Sequence, residues 1–313
     1  MEIVRLESLA PRGWRRSAVT VGNFDGVHRG HQALVAAAVE DARAAGGSAV
    51  VLTFDPHPSR VLAPDRAPSA LMTLAQKAEA LQALGIQRLA VLPFTLELSH
   101  ESAEDFARLV LQQALAARMV VVGLNFRFGR GRAGDIRVLE EVGRKLRFRV
   151  HGLPPVLHDG EPISSTRIRE ALARGAVEAA TELLGRRFCV DGPVVRGFQR
   201  GRTLGAPTAN VDAENEALPG AGVYACWARL LDGPGLDPIP AVVNVGRRPT
   251  FGGGGTTVEA HLLHFDQDLY GRRLRLEFAR RLREEQAFPN AEALRDQIRH
   301  DIVAAGRVLE KEP

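Results

Sequence analysis

Short apolar runs at 18–21, 49–54, 89–92 and 119–122, with a fifth at 148–151, punctuate the first half of the chain. Between them, at 31–45, 73–84, 102–117 and 135–146, apolar positions recur at helical spacing. Runs this short, bounded by turn residues, read as buried strands, and the stretches between them as amphipathic helices. Regular strand–helix alternation predicts a parallel sheet with helices on both faces. In such a sheet, ligands gather beyond the carboxyl ends of the strands. From about Gly185 the pattern changes. Strand-like runs at 224–230, 241–245, 258–265 and 274–278 follow one another without helices between them. Leu274-Arg-Leu-Glu-Phe278 alternates strictly, as a half-buried strand does. Closely spaced strands of this kind predict an antiparallel barrel or sandwich, closed by a final helix over 290–309. The reading gives two domains, 1–185 and 186–313, with the boundary at Gly185–Arg186.

A chain of 313 residues accommodates two cores. No run approaches the ~18 apolar residues of a membrane span, and Met1–Arg16 lacks the apolar stretch of a signal peptide. Cys189 and Cys226 are too few for a disulfide framework or a zinc site. They fit buried free thiols in a reducing compartment, so a cytoplasmic protein is expected. The net charge is +4, and Lys77, Lys145 and Lys311 are the only lysines among 41 basic residues. Arginine presents a planar donor fork that matches phosphate oxygens in pairs. The balance suits phosphate-rich small molecules; no membrane or nucleic-acid partner is expected. The sequence does not specify an oligomeric state.

The first chemical element is Gly22-Asn-Phe-Asp-Gly-Val-His-Arg-Gly-His31, which follows the first buried strand and leads into the first helix. Glycine lets a phosphate approach the backbone, and a helix N-terminus adds amide donors and positive partial charge. His28 and His31 can donate hydrogen bonds to a triphosphate there. A second element, Ile163-Ser-Ser-Thr-Arg-Ile-Arg169, combines helix-capping hydroxyls with arginines, another anion-binding composition. The His28-x-Gly-His31 pattern resembles the signature of the nucleotidylyltransferase superfamily, and the Ser/Thr–Arg element matches its late motif. The resemblance implies direct in-line transfer of a nucleotidyl group with release of pyrophosphate. His28 and His31 would be catalytic, and Gly22, Phe24, Gly30, Ser164, Ser165, Thr166, Arg167 and Arg169 would hold nucleotide or phosphate.

Two further stretches, Thr53-Phe-Asp-Pro-His-Pro58 and Gly123-Leu-Asn-Phe-Arg-Phe-Gly129, narrow the likeness. With the elements above they resemble the FAD synthetase domain of prokaryotic riboflavin kinase/FAD synthetases. By that resemblance Asn125 and Arg127 help to hold the flavin. Gly129-Arg-Gly-Arg-Ala-Gly134 matches GxGxxG literally, but Asn125–Phe128 separates it from its strand. The nearest acids, such as Glu140 and Glu141, come too early for the ribose contact about 20 residues on. It reads as a substrate loop. No GxxxxGK[ST] is present, so a P-loop kinase is excluded by motif.

In the second half, Gly201-Arg-Thr-Leu-Gly-Ala-Pro-Thr-Ala-Asn210 offers backbone amides from glycines and hard oxygen donors from Thr208 and Asn210. Such oxygens suit Mg²⁺ bridging nucleotide phosphates. The stretches Pro219-Gly-Ala-Gly-Val-Tyr-Ala225, Val243-Asn-Val-Gly246, Pro249-Thr-Phe251, Val258-Glu-Ala-His-Leu-Leu263 and Asp268-Leu-Tyr-Gly271 follow in order. Together they resemble the riboflavin kinase domain, a small Greek-key-like barrel. The resemblance assigns Thr208 and Asn210 to metal and phosphate, Gly201 to the nucleotide, Glu259 to general-base catalysis, and Arg283 and Glu285 to the flavin. The chain departs from that pattern at Thr203, Ala206, His264 and the Gly252–Gly255 loop, which bear on flavin affinity.

The fold implied is a Rossmann-like α/β nucleotidylyltransferase domain followed by a mostly antiparallel β-barrel with a C-terminal helix. The activity implied is ATP- and Mg²⁺-dependent conversion of riboflavin to FMN, and of FMN to FAD. The alternative is a nucleotidylyltransferase for another acceptor carrying a non-catalytic flavin- or RNA-binding barrel.

Overall fold

The structure, a computed structural model, describes residues 1–10, 13–196, 207–233, 237–247 and 256–311. It divides into two compact units, one formed by Met1–Ser69 and Leu74–Ser164, the other by Ala70–Thr73 and Ser165–Pro313.

The first unit is built on six strands: β1 (Glu2–Arg5), β2 (Ser17–Val21), β3 (Ala49–Phe54), β4 (Arg88–Leu92), β5 (Ala117–Gly123) and β6 (Arg149–Leu153). They lie in the order β1-β4-β3-β2-β5-β6, and every neighbouring pair is parallel. Val19, Val21, Val50, Leu52, Val120 and Val122 share one face and pack with Phe106, Val110, Leu111, Leu139 and Val142 from helical segments. Residues of the opposite parity face the other way, because side chains alternate along a strand. Helix Arg29–Ala45 packs against β2, β3 and β5 and buries Val35, Ala38 and Ala42. Helices therefore cover both faces, as the pattern predicts. From β2 the order runs one way through β3 and β4, and the other way through β5 and β6. That reversal makes the carboxyl ends of β2 and β5 the switch point, where an open α/β sheet forms its crevice. A short ribbon of β7 (Leu157–His158) and β8 (Glu161–Pro162) follows.

Three details differ from the pattern. β1 was not anticipated, and three of its four residues are exposed. The helix over 102–117 is one α turn, Ala103–Phe106, continued by a π-helical segment, Ala107–Ala114. The strand at 148–151 begins one residue later, because Phe148 still donates its N–H to the carbonyl of Gly143 at 2.9 Å.

In the second unit β9 (Phe188–Val195), β10 (Ala209–Val211), β11 (Gly222–Leu230), β12 (Ile239–Arg247), β13 (Thr256–Leu262) and β14 (Arg273–Arg283) form a closed barrel, β10-β13-β12-β11-β14-β9. All its pairs are antiparallel, and β9 returns to β10. Closure removes the unpaired edges that an open sheet exposes. Tyr224 and Phe278 meet edge to face at 5.3 Å in the core. The small residues Ala225 and Ala279 let the C-terminal helix, Ala291–Leu309, pack through Ala305 and Leu309. The strand expected at 258–265 ends at Leu262; His264, at φ 57°, turns the chain. Helix Val177–Leu184 ends on Gly185 at φ 72°, whose N–H bonds to the Thr181 carbonyl. This helix packs on β9 and β14. The compact units accordingly divide between Ser164 and Ser165, 20 residues before the change in sequence pattern at Gly185.

Asp191 of β9 accepts from Arg275 Nε and Nη2 of β14, each at 2.8 Å, with little solvent access to either side chain. Removing one partner would leave a buried charge uncompensated. Asp191→Ala is expected to lower stability by about 3–5 kcal/mol, read from denaturant unfolding. An unchanged midpoint would refute that. Cys189 is half-buried and Cys226 fully buried, both as free thiols. Burial pushes the Cys189 thiol up to about 12 and Cys226 well above its ordinary value, so neither is a nucleophile at neutral pH. Among the described residues, no helix is long and apolar enough to cross a membrane.

Candidate active sites

At the carboxyl end of β2 the chain turns through Gly22–Val27 into helix Arg29–Ala45. Phe24, Gly26 and Val27 adopt φ of 48°, 86° and 42°. Left-handed backbone at non-glycine residues costs on the order of 1–3 kcal/mol each. Full burial of Phe24 and Val27 offsets that cost. So do anchoring hydrogen bonds. Gly22 N–H donates to Leu52 O at 3.1 Å and Gln32 Nε2 to Val27 O at 2.9 Å. Thr53 Oγ1 donates to Asn23 O at 3.0 Å, and Lys77 Nζ to the same carbonyl at 2.8 Å.

His28, buried, caps the helix: its Nδ1 accepts from His31 N–H at 3.3 Å. A neutral ring whose Nδ1 accepts carries its proton on Nε2, which makes Nε2 the donor. The His31 ring stacks on it at 3.6 Å and 18°. A Cβ on Gly30 would stand 3.1 Å from His28 Cε1 and 3.8 Å from Ile163 O. Glycine here makes room for the imidazole. The segment ending in Ser164 thus runs beside the turn. Gly22, Phe24, His28, Gly30, His31 and Ser164 are gathered in the first unit. Ser165, Thr166, Arg167 and Arg169 begin helix Ser165–Ala173, which belongs to the second unit. Thr166 is exposed and the other three are half-buried.

The neighbouring strand ends carry the other motifs. After β5, a Cβ on Gly123 would sit 2.8 Å from Asn125 Oδ1, so the Asn125 side chain folds back over the strand end. Asn125 and Arg127 are exposed, and Arg127 pairs with Asp135 at 3.2 Å. The Val138 N–H and the Arg127 guanidinium hold the Asp135 carboxyl below the usual range. Phe128 is core, stacked on Phe126 at 5.3 Å. The GxGxxG run is closed by paired backbone bonds between Phe128 and Gly134 around a single 3-10 turn, Arg130–Arg132. After β3, His57 Nε2 meets Asn23 Nδ2 at 2.8 Å, and its Nδ1 accepts from Ser59 N–H. Burial lowers the Lys77 pKa, against the opposing pull of Asp25 and Asp55. The sequence reading did not single out Thr53, His57 or Lys77 as site residues.

In the barrel, cross-strand register assembles the second constellation. Glu259 of β13 pairs with Asn210 of β10 on one side and Asn244 of β12 on the other. Paired residues project from the same face, about 4.5–5.5 Å apart at Cβ. All three are half-buried, alternating with core residues. His261, two residues along the same face, bonds through Nδ1 to Pro207 O at 2.8 Å and anchors the segment entering Thr208. A Cβ on Gly246 would lie 2.9 Å from Glu285 Oε1, 3.3 Å from Asn244 Nδ2 and 3.4 Å from Thr257 Oγ1. Glu285 therefore converges on this face, beside a hollow that glycine leaves open. Arg283 is engaged elsewhere: Nε and Nη2 hold Asp301 of the C-terminal helix at 3.0 and 2.8 Å. Gly201, Thr203, Ala206 and the Gly252–Gly255 loop lie outside the described residues. Among the described residues no group of three or more His, Cys, Asp or Glu side chains could hold a metal. Asn244 and His261 lie in stretches that carry the resemblance, but cross-strand register, which those stretches do not show, sets them beside Glu259 and Pro207.

Comparison with known proteins gives two family matches. Residues 10–167 match the FAD synthetase family and residues 184–309 the riboflavin kinase family. The chain is 36% identical over 306 residues to the bifunctional riboflavin kinase/FMN adenylyltransferase of Escherichia coli K12, covering 97% of each. It is 40% identical over 307 residues to that of Pseudomonas fluorescens, again covering 97% of each. A crystal structure from Streptococcus pneumoniae, described as a macrolide-efflux protein, superposes with a TM-score of 0.88 at 29% identity. That alignment covers 97% of this chain and 99% of the other.

Proposed function

This chain belongs to the bifunctional riboflavin kinase/FMN adenylyltransferase family, and from that premise we propose how its residues divide the two reactions. The barrel transfers the γ-phosphoryl group of ATP to the 5′-hydroxyl of riboflavin, giving FMN and ADP. The α/β unit transfers the adenylyl group of a second ATP to FMN, giving FAD and pyrophosphate. Likeness to bifunctional relatives along 97% of the chain carries this reading and disfavours a non-catalytic barrel.

In the α/β unit the work is positioning and charge stabilisation, as in phosphoryl chemistry generally. His28 Nε2–H, His31 and the amides opening helix Arg29–Ala45 meet the triphosphate as negative charge builds on the departing pyrophosphate. Gly22, Phe24 and Gly30 supply close backbone approach. Ser164 holds phosphate oxygens, and Asn125 and Arg127 hold the flavin.

In the barrel Glu259 accepts the proton of the riboflavin hydroxyl as its oxygen attacks, and Asn210 and Asn244 flank the carboxylate. Glu285 contacts the flavin, and Arg283 aids it by tying the adjoining segment to Asp301. Gly201 joins the nucleotide cradle. The hydroxyl of Thr208 and the amide oxygen of Asn210 fit a hard cation whose remaining ligands are nucleotide oxygens and water, the habit of Mg²⁺. Bound there, Mg²⁺ would offset phosphate charge.

With FMN and ATP supplied, pyrophosphate should appear one for one with FAD. With riboflavin and ATP, ADP should appear first. ADP without pyrophosphate would remove the adenylyl half of the proposal.

A further inference from the structure

Lys77 is a half-buried cation that neither reaction above uses. It lies on helix Leu74–Ala83, where an isolated lysine would ordinarily face water. Instead its Nζ donates to Asn23 O at 2.8 Å and lies 3.3 Å from Thr53 Oγ1, while Thr53 Oγ1 donates to the same carbonyl at 3.0 Å. In a chain whose basic residues are nearly all arginine, this half-buried position holds a lysine. A compact ammonium reaches a carbonyl and a hydroxyl together, where a planar guanidinium needs a wider site.

The carbonyl so held belongs to the peptide joining Asn23 to Phe24. That peptide is planar and trans, so its N–H points opposite to its C=O. Two donors fixing the carbonyl therefore aim the Phe24 N–H away from Lys77. The same peptide precedes the first left-handed residue of the turn, Phe24 at φ 48°. The backbone strain there has to be held by such contacts. Asn23 is gripped at its side chain as well, by His57. Thr53 at the end of β3, His57 in the loop after it and Lys77 on helix Leu74–Ala83 thus grip one residue of the turn.

We propose that Lys77 is a positioning residue for adenylyl transfer: with Thr53 it locks the Asn23 carbonyl and so aims the Phe24 amide at the nucleotide phosphates. The inference rests on the α/β unit being the adenylyl-transfer site. It goes further in naming a group that acts on the nucleotide only through the backbone.

The test is steady-state kinetics of FAD formation from FMN by the full chain, with Lys77→Met, Lys77→Arg and Thr53→Val beside the unmodified protein. Lys77→Met should lower kcat/KM for ATP about 10- to 100-fold, the scale of one misaligned donor. KM for FMN and the rate of FMN formation from riboflavin should stay within about twofold. Lys77→Arg should recover only part of the loss, since its charge is right and its shape wrong. Thr53→Val, which leaves the lysine in place, should cost about 3- to 10-fold in the same constant. Should Lys77→Met fail to fold, Thr53→Val decides alone. A folded variant with native kcat/KM for ATP would overturn the proposal, as would equal losses toward ATP and FMN, or full recovery with arginine. If the unmodified protein makes no FAD from FMN, the site assignment fails instead, which is a separable result.

Discussion

Replacing Glu259 by alanine should lower FMN formation from riboflavin by about 10²- to 10⁴-fold, the contribution typical of a positioned general base. Adenylylation of supplied FMN should continue at the native rate. The size of the effect follows from the setting: Glu259 stands on β13 between Asn210 and Asn244, with Glu285 converging beside Gly246. It is half-buried on the outer face of a closed barrel, so substitution removes no core contact. A loss of catalysis without a loss of stability is the expected signature. Chromatographic product analysis together with a melting curve checks it. Native FMN formation by the variant would remove Glu259 from the mechanism.

His28→Ala should do the converse, lowering FAD formation about 10²- to 10³-fold, as when one preorganised donor is removed, while FMN accumulates from riboflavin. Two functions are lost together here. The His28 ring caps helix Arg29–Ala45 through Nδ1, and in the proposed mechanism its Nε2–H meets the triphosphate. Loss of a cap alone costs about 0.5–2 kcal/mol of stability. His28→Asn, which can still cap, separates the two: it should restore much of the stability and little of the activity. If His28→Asn recovered both, the imidazole would be a structural cap and nothing more.

The parts of this architecture legible in sequence are those with strong local periodicity. The central strands β2 to β5 are continuous apolar runs, because helices bury both faces of a parallel sheet. The motifs that follow these runs therefore fall at the sheet's carboxyl edge. What escaped depends on partners distant in the chain. β1 is short and mostly exposed, and it exists through its pairing with β4. β9 carries Asp191, Gly192 and Pro193, a poor strand by composition; Arg275 on β14 makes Asp191 tolerable there. β10 has three residues, too few to show alternation.

The candidate sites divide the same way. His28, His31 and Glu259 sit in recognisable patterns. Asn244 acquires its position from register with Glu259, which a single strand does not encode. Lys77 looks like an ordinary solvated position on an amphipathic helix. Only the approach of the Asn23 carbonyl from 54 residues away ties it into the turn as a half-buried donor.

The account stands on two separable sites acting in series, and complementation measures that directly. Neither Glu259→Ala nor His28→Ala alone should convert riboflavin to FAD at an appreciable rate. Mixed in equal amounts with riboflavin, ATP and Mg²⁺, they should do so, with FMN rising and then falling as FAD appears. A mixture that makes no FAD, although each variant is folded and retains its own half-reaction, would contradict the account.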